Sequence, residues 1–248
     1  MKLLFSRFGG KKTKSKEIIC EFEDHKIYIE PFLGSGAIFF QKDNSILSVL
    51  NDLDPSIYNI FYGTKEHCHT FDEKKWDWEP DRDKWNRFRE NITNDTTTDP
   101  LEKIYQSLYF LRHSWSGLGT SFTPSRWKNN ENYKITLSDY EEKLKNTIIL
   151  KQDYKEVIKK YDDPTALFYL DPPYEIAIKK NYYGYQSGFN MTEMRDILKN
   201  IQGKFVLSVD ITDETTELFE EFNCQIINFN YQTRKNNKEV KEYLIKNF

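Results

Sequence analysis

Short apolar runs alternate with amphipathic segments along the first quarter of the chain. Residues 27–29 predict a buried strand, and a glycine turn at 32–36 follows it. Residues 37–40 then predict the start of a helix, and residues 46–50 predict a second strand. The order strand, helix, strand indicates a β-α-β unit.

A helix is predicted directly after the second strand. Asp54 is a typical N-cap and Pro55 fits the first helical position. Ile57, Ile60 and Phe61 then fall on one face. This helix therefore presents an apolar stripe to the predicted sheet.

The same alternation returns in the second half of the chain. The predicted strands there are 147–150, 166–170 and 205–209, with a terminal hairpin of 225–229 and 240–245 around a 235–238 turn. Four helices are predicted between these strands. The first begins with a Ser138/Glu141 capping box and runs through Leu144, and the second follows Asp153 and runs through Tyr161. The other two are at 192–201 and 214–222, and in the last of them Leu218 and Phe222 point inward. Strands alternating with helices predict an α/β fold: a doubly wound, mostly parallel sheet covered on both faces, with a C-terminal antiparallel hairpin.

The pattern changes between about residues 63 and 135. Residues 66–99 are mostly polar and end in an exposed loop, whereas apolar residues at 104, 108 and 111 have helical spacing. A loop rich in serine and glycine follows at 114–125. We interpret 63–135 as a mainly helical insertion into a sheet domain formed by 1–62 and 136–248.

Composition narrows the class of protein. The 248 residues are 38% hydrophobic and 16% aromatic, which suffices for a core, and no apolar run approaches the length of a membrane span. An odd set of three cysteines, Cys20, Cys68 and Cys224, suits a reducing cytoplasm. His67-Cys68-His69 lacks a second ligand cluster in the sequence, so we expect no metal site.

Charge is unevenly distributed. The net charge is −3, yet the first twenty residues carry six basic side chains and one acidic one. A phosphate backbone needs a local positive surface rather than a basic protein. The distribution therefore permits a polyanionic partner, although such blocks are equally typical of solvated helix faces.

The glycine turn is a candidate ligand site. Gly34 and Gly36 let a ligand approach the backbone at a helix start. Asp52 ends the next strand, twenty positions beyond Phe32, where a carboxylate can accept hydrogen bonds from ribose hydroxyls. A tight turn followed by a helix-capping acid would explain the same residues.

A rigid acidic corner follows the most apolar predicted strand. It consists of Asp171, Pro172, Pro173 and Tyr174. Two prolines fix the backbone and remove two donors. A planar base with an exocyclic amine could stack on Tyr174 and donate its hydrogens to the Asp171 carboxylate and the Pro172 carbonyl. A proline corner that merely ends a strand is the plain alternative.

These motifs, in this order, resemble those of the Dam-like DNA adenine-N6 methyltransferases, which use S-adenosylmethionine (SAM). The resemblance runs from residues 8–11, through 30–36 and 51–52, to 171–174. It implies a Rossmann-like sheet with an inserted target-recognition subdomain. It also implies that the cofactor site is formed by Phe8, Lys11, Glu30, Pro31, Phe32, Gly34, Gly36, Asp52, Asp153 and Asp171.

The resemblance also implies a DNA-contacting loop. Arg112 would meet phosphate, and Trp115 and Ser116 would enter the stack that the target base leaves. Trp115 as a core anchor is the alternative. Residues 119–121 are Gly-Thr-Ser where GATC-specific members place an arginine and a basic-aromatic pair. The further candidate DNA contacts are Arg126, Lys128 and Tyr182, the last in a glycine-interrupted aromatic loop that could also be a packed surface loop.

The implied activity is methyl transfer to N6 of a flipped-out adenine in double-stranded DNA, without a covalent intermediate. The expected molecule is a monomer or weak dimer without metal, in the cytoplasm of a bacterium or a virus-infected cell. Two alternatives remain: methylation of cytosine N4, whose amine suits the same corner, and a silent subunit that binds DNA or SAM without turnover.

Overall fold

The fold is built on one seven-stranded sheet. A computed structural model describes residues 1–124, 136–173, 189–232 and 237–248. The strands are β1 Ile27–Glu30, β2 Leu47–Asn51, β3 Thr147–Leu150, β4 Ala166–Leu170, β5 Lys204–Asp210, β6 Asn223–Gln232 and β7 Asn237–Lys246. Their spatial order is β3-β2-β1-β4-β5-β7-β6. The predicted α/β fold is confirmed.

Strand direction separates the sheet into two parts. Strands β1 to β5 are mutually parallel, whereas β7 runs antiparallel to both β5 and β6. The predicted hairpin is therefore present, with longer strands than the sequence indicated, because Asn237 already pairs with Gln232. The last strand in sequence lies inside the sheet and the strand before it lies at the edge.

Helices cover the sheet. They are α1 Ser15–Cys20, α2 Pro55–His67, α3 Arg82–Asn94, α4 Pro100–Arg112, α5 Glu141–Leu144, α6 Tyr154–Tyr161, α7 Met191–Lys199 and α8 Asp213–Leu218. Aspartate caps begin α2, α3, α4 and α6, each accepting a hydrogen bond from an amide of the first turn. Within the described ranges, none of the helices is long and apolar enough to cross a membrane.

Two apolar clusters lie on opposite faces of the sheet. Successive residues of a strand point to opposite faces, so Tyr28 belongs to one cluster and Ile29 to the other. The first cluster includes Ile57, Ile60 and Phe61 of α2, as predicted, all fully buried. Burial on both faces explains why the strands read as continuous apolar runs.

The segment between β2 and β3 contains a helix that the sequence reading missed. Helix α3 buries Trp85, Phe88 and Ile92 in the same cluster as α2 and α4. The expected boundary at residue 63 falls inside α2, where a β-carbon on Gly63 would lie 2.3 Å from Ile104 Cγ1 of α4. The segment and the sheet therefore share one core.

Three local predictions were wrong. Residues 37–40 form turns rather than a helix start, because the bonds Phe40 N to Gly36 O and Lys42 N to Ile38 O are not consecutive. No Ser138/Glu141 capping box forms; a 3-10 turn over Leu137–Tyr140 precedes α5 without a side-chain cap. Helix α8 ends at Leu218, so it does not reach residue 222, and the fully buried residue there is Phe219.

Candidate active site

Acidic side chains gather at the carboxyl edge of the parallel strands. Strand β1 ends at Glu30 and β5 at Asp210, and Asp171 directly follows β4. Strand β4 lies between β1 and β5, so these three positions are neighbours at one edge. In doubly wound sheets ligands bind at this edge. The sheet therefore brings the glycine turn and the acidic corner together, as the sequence predicted.

Lys11 joins the N-terminal segment to the acidic corner. Its Nζ lies 2.7 Å from Asp171 Oδ1, 3.3 Å from Gly9 O and 3.5 Å from Glu242 Oε2. The lysine is 2% exposed, so its ammonium has exchanged water for these oxygens. Asp171 remains partly exposed and so can be reached from solvent.

Glu30 is buried beside this pair. The Tyr28 hydroxyl donates to its Oε2 at 2.7 Å. Burial raises the pKa of Glu30 to about 8, and the charge of Asp171 adds to the rise, while the tyrosine bond and Lys42 oppose it. The site therefore holds a carboxyl group that keeps its proton near neutral pH.

Asp210 and Glu242 extend the acidic edge onto the antiparallel strand. They face each other across β5 and β7. Burial raises the pKa of Asp210 to about 6, with Glu242 and Asp171 contributing and Lys11 opposing. The sequence reading named neither residue, because the pairing of β7 with β5 is not visible in any local motif.

The glycine bend is held by Asp52. Gly34 has φ +52°, and its amide donates to Asp52 Oδ2 at 2.8 Å, while the Asp54 amide donates to Oδ1 at 3.0 Å. Burial raises the pKa of Asp52 to about 6, although nearby Arg7 opposes the rise. Both oxygens already accept a backbone bond, and each keeps a second lone pair for a ligand.

Close packing around Gly36 leaves no room for a side chain at this position of the bend. A β-carbon on Gly36 would lie 2.8 Å from Phe61 Cζ, so glycine is required there. Asn51 ties the bend to the next strand end, donating to Pro31 O at 2.9 Å and to Gln152 O at 3.0 Å. Three strand ends are thus joined around the bend.

Phe32 and Asp153 lie on the side of the bend that faces α6. The Phe32 ring is half-buried against Tyr154 and Phe189, with centroids 5.2 and 5.8 Å away. Asp153 is exposed and caps α6, accepting from the Lys155 amide at 2.9 Å. Both side chains stand where a ligand extending from the bend could meet them.

The predicted DNA loop meets the N-terminal segment. Phe8 N donates to Ser116 O at 2.8 Å, and the Phe8 and Trp115 rings stack with centroids 6.1 Å apart. Phe8 is 49% exposed and Trp115 is 44% exposed, so Trp115 is not a core anchor. Ser116 has φ +51° and a β-carbon on Gly117 would lie 2.0 Å from Ser6 O, so the loop is tightly shaped.

Arg112 does not reach the surface. Its guanidinium donates to Glu73 Oε1 at 2.9 Å, lies 4.8 Å from the Trp78 ring and is buried. Burial lowers its pKa, and the Glu73 carboxylate opposes that shift. The expected phosphate contact is therefore wrong for this arrangement, because the side chain is taken up by an internal ion pair.

Cys68 and His69 lie beside an acidic side chain of α5. The sequence shows no second ligand cluster for His67-Cys68-His69, yet the fold brings Glu141 beside Cys68 and His69, with ligand atoms within 4.8 Å of one another. A surface contact of 3.1 Å between His69 Nε2 and Glu141 Oε1 accounts for that proximity. The absence of a metal stays a prediction.

Four predicted site residues lie outside the described residues. They are Tyr174, Arg126, Lys128 and Tyr182. Their predicted roles stay predictions. Asp171, Pro172 and Pro173 end the described part of the acidic corner.

A match to a protein-family model identifies the family of this chain. The model for D12 class N6 adenine-specific DNA methyltransferases matches residues 8–235. The chain belongs to this family. The matched region includes the N-terminal segment with Lys11, the glycine bend and the acidic corner.

Relatives of this D12-class methyltransferase include viral and bacterial enzymes. It is 24% identical over 251 residues to the type II methyltransferase M.CviBI of Paramecium bursaria Chlorella virus NC1A, covering 90% of this chain and 88% of the relative. It is 25% identical to a DNA adenine methylase of Haemophilus influenzae, with 86% and 79% covered. A DNA adenine methylase of Escherichia coli K12 is 26% identical, with 86% and 81% covered.

The enzyme therefore methylates N6 of adenine in DNA with SAM as methyl donor. Neither cytosine N4 methylation nor a silent subunit is favoured by these findings. The residues present fit the cofactor: Gly34 has a positive φ with room where a side chain would stand, Asp52 lies beside it, and Asp171 and Asp210 at the same sheet edge can attract a cationic ligand.

Proposed function

We propose that Asp171 and the Pro172 carbonyl receive the two hydrogens of the adenine amine. The observation that supports this is the 2.7 Å bond between Lys11 and Asp171 at the carboxyl edge, beside the glycine bend. A charged partner fixes one carboxylate oxygen and favours the ionised form. The amine would then meet an oriented acceptor.

Methyl transfer in this arrangement is direct. When bound, SAM supplies an electrophilic methyl group on its sulfonium. The amine of adenine is a poor nucleophile because its lone pair is delocalised into the ring. Hydrogen bonds to Asp171 and Pro172 favour a pyramidal nitrogen and aim the lone pair, so positioning and electrostatics lower the barrier. The three cysteines take no part.

The cofactor site runs from the bend toward α6. Glu30, Gly34 and Gly36 would shape the methionine end, with Pro31 fixing the strand exit. Asp52 would accept from the ribose through its remaining lone pairs, and Asp153 would meet the adenine beside Phe32. Lys11 and Phe8 would close the other side. The continuity of these residues along one edge supports the assignment.

DNA approaches the exposed aromatic pair. Phe8 and Trp115 stack on each other with about half of each side chain exposed, and Ser116 O accepts the bond from Phe8 N that holds the two segments together. A base inside a duplex must leave the stack before its amine can reach Asp171. Trp115 would fill the space that the flipped base leaves in double-stranded DNA.

We further propose an oligomeric state, a metal content and a location for the enzyme. The enzyme works as a monomer or weak dimer without metal, in the cytoplasm of a bacterium or a virus-infected cell, which the origin of the relatives supports. Gly119-Thr120-Ser121 favours a recognition sequence other than GATC.

The experiment uses the chain of 248 residues with radiolabelled SAM and duplexes of mixed sequence. We expect label on N6-methyladenine in nucleoside digests. Asp171→Ala should lower the transfer rate by about 10³-fold or more, as the loss of a group acting on the transition state does.

A matched control is Asp163→Ala. This acid precedes β4 at the amino edge, where it caps a turn to Thr165, and it should leave the transfer rate unchanged. Equal label in the Asp171→Ala variant and the unsubstituted chain would sink the assignment of Asp171. Label on cytosine would overturn the choice of base.

A further inference from the structure

The terminal hairpin contributes an acid to the candidate site. Glu242 lies on β7, opposite Asp210 of β5, and is 1% exposed. Because β7 is antiparallel to β5, Glu242 in the middle of β7 pairs with Asp210, the last residue of β5, and so lies at the carboxyl edge. A residue far from every sequence motif thus stands beside the acidic corner.

Two contacts fix the Glu242 carboxylate. The Ser208 hydroxyl donates to Oε2 at 2.9 Å, and Lys11 Nζ lies 3.5 Å from the same oxygen. Ser208 and Glu242 are diagonal neighbours across β5 and β7, because Ser208 pairs with Leu244. Both are buried, so neither contact competes with bulk water.

The lysine is held between two carboxylates. An ammonium has three donors, and Asp171 Oδ1, Gly9 O and Glu242 Oε2 surround it at 2.7, 3.3 and 3.5 Å. A lysine stem has four rotatable bonds, so each oxygen that the ammonium contacts narrows the positions open to it. Glu242 adds a restraint to those from Asp171 and Gly9.

We propose that Glu242 is a positioning residue for the transfer reaction: it fixes the Lys11 ammonium, which in turn orients the Asp171 carboxylate. Glu242 touches neither the DNA nor the reacting atoms. The inference rests on the proposed role of Asp171. The C-terminal hairpin, which contains none of the sequence motifs, would thereby contribute a residue to the site.

A double-mutant cycle tests this chain of contacts. Single-turnover methyl transfer is measured for Glu242→Gln, Lys11→Met and the double variant. We expect Glu242→Gln alone to lower the rate about 10-fold, within the range of coupling between residues of one network. In the Lys11→Met background the same change should have no further effect. Equal losses in both backgrounds would overturn the proposal.

A second variant covers the case in which Glu242→Gln does not fold. Ser208→Ala keeps both charges and removes the bond that holds the carboxylate. It should slow transfer about 3-fold, as the loss of one hydrogen bond does, and only when Lys11 is present. Tyr243→Phe, one residue along β7 and on the other face, is the matched control and should leave the rate unchanged.

A measurement without turnover completes the test. Carboxyl carbon resonances of the cofactor-free protein report the pKa of Asp210, which the Glu242 charge helps to raise to about 6. That pKa should fall in Glu242→Gln, and an unchanged pKa would mean that residue 242 carries no charge to hold the lysine. If the unsubstituted chain transfers no methyl group to DNA, the proposed function fails instead.

Discussion

Two regions of this molecule differ in whether their polar atoms have favourable partners. The aromatic layer, formed by Trp85, Phe88, Tyr105 and Tyr109 of α3 and α4, buries large rings and satisfies their polar tips. Trp85 Nε1 donates to Phe110 O at 3.0 Å and the Tyr109 hydroxyl to Glu79 O at 2.7 Å. The rings pack edge to face, a favourable geometry.

The acidic edge, formed by Glu30, Asp171, Asp210 and Glu242, is built differently. Burial raises the pKa of Glu30 to about 8 and that of Asp210 to about 6, and the neighbouring carboxyl groups add to both rises. Buried like charges destabilise a fold. The layer therefore supports the stability of the protein, whereas the edge opposes it and supplies the chemistry.

The largest expected effect comes from the aromatic layer. Trp85→Ala removes a ring that is 3% exposed together with its two hydrogen bonds, to Phe110 O and Ser114 Oγ. We expect the free energy of unfolding to fall by about 3–5 kcal/mol, the usual loss for a buried tryptophan. Urea denaturation measures it.

Trp115 provides the control, because it is a tryptophan of the same region at the surface. Its replacement by alanine should change the free energy of unfolding by less than about 0.5 kcal/mol. Similar losses for the two variants would remove the distinction between a stabilising layer and an exposed recognition loop.

The acidic edge predicts an effect of opposite sign. Glu30 has a raised pKa in the folded protein, so the fold holds a proton that the unfolded chain releases between about pH 4.5 and 8. Stability is therefore lost as pH rises through this window. Glu30→Gln removes that loss and should stabilise the protein at pH 8 by about 1–3 kcal/mol.

Thermal unfolding between pH 5 and 9 checks this prediction. The unsubstituted chain should lose stability toward pH 8 more steeply than Glu30→Gln. Glu156→Gln, on the surface helix α6, serves as a control and should follow the unsubstituted chain. Parallel curves for Glu30→Gln and the unsubstituted chain would contradict the idea that this edge works against stability.

The smallest effect concerns recognition. Trp115→Ala removes an exposed ring from the proposed DNA loop and should weaken duplex binding about 10-fold, or about 1.4 kcal/mol, in line with the loss of one stacking contact. Fluorescence anisotropy with a labelled duplex measures it. Ile46→Ala, 73% exposed at the amino end of β2, should bind as before. If Trp115→Ala binds the duplex as tightly as the unsubstituted chain does, Trp115 is a surface residue without a role in DNA binding.

The sheet and the acidic corner could be predicted because their signals are local. The apolar runs 147–150 and 166–170 coincide with β3 and β4, and Asp171 follows the second of them as expected. A short apolar run bounded by polar turns leaves little choice when both faces of a strand are buried.

Other errors arose where a local signal was misread. Residues 37–40 are apolar and follow a glycine turn, which is typical of a helix start. The chain must reach the start of β2 at Leu47 within a few residues, however, so it forms turns rather than a helix. Helix α3 was missed although Asp81 is a typical cap and Trp85, Phe88 and Ile92 have helical spacing, because charged residues around them lowered the apolar signal.

Long-range contacts could not be predicted. Arg112 pairs with Glu73 across 39 positions, which removes it from the surface. Glu242 reaches Lys11 only because β7 inserts between β5 and β6. Such pairings depend on strand register and helix packing, which a single sequence does not specify.

The placement of β7 also constrains the order in which a working enzyme can be made. Until the ribosome has released the residues up to Lys246, β5 has an open edge and the Glu242 carboxylate is not yet beside Lys11. A nascent chain that already carries the glycine bend and the acidic corner is thus still incomplete. Methylation competence should appear late in synthesis, and chains interrupted before β7 should be prone to aggregate rather than modify DNA.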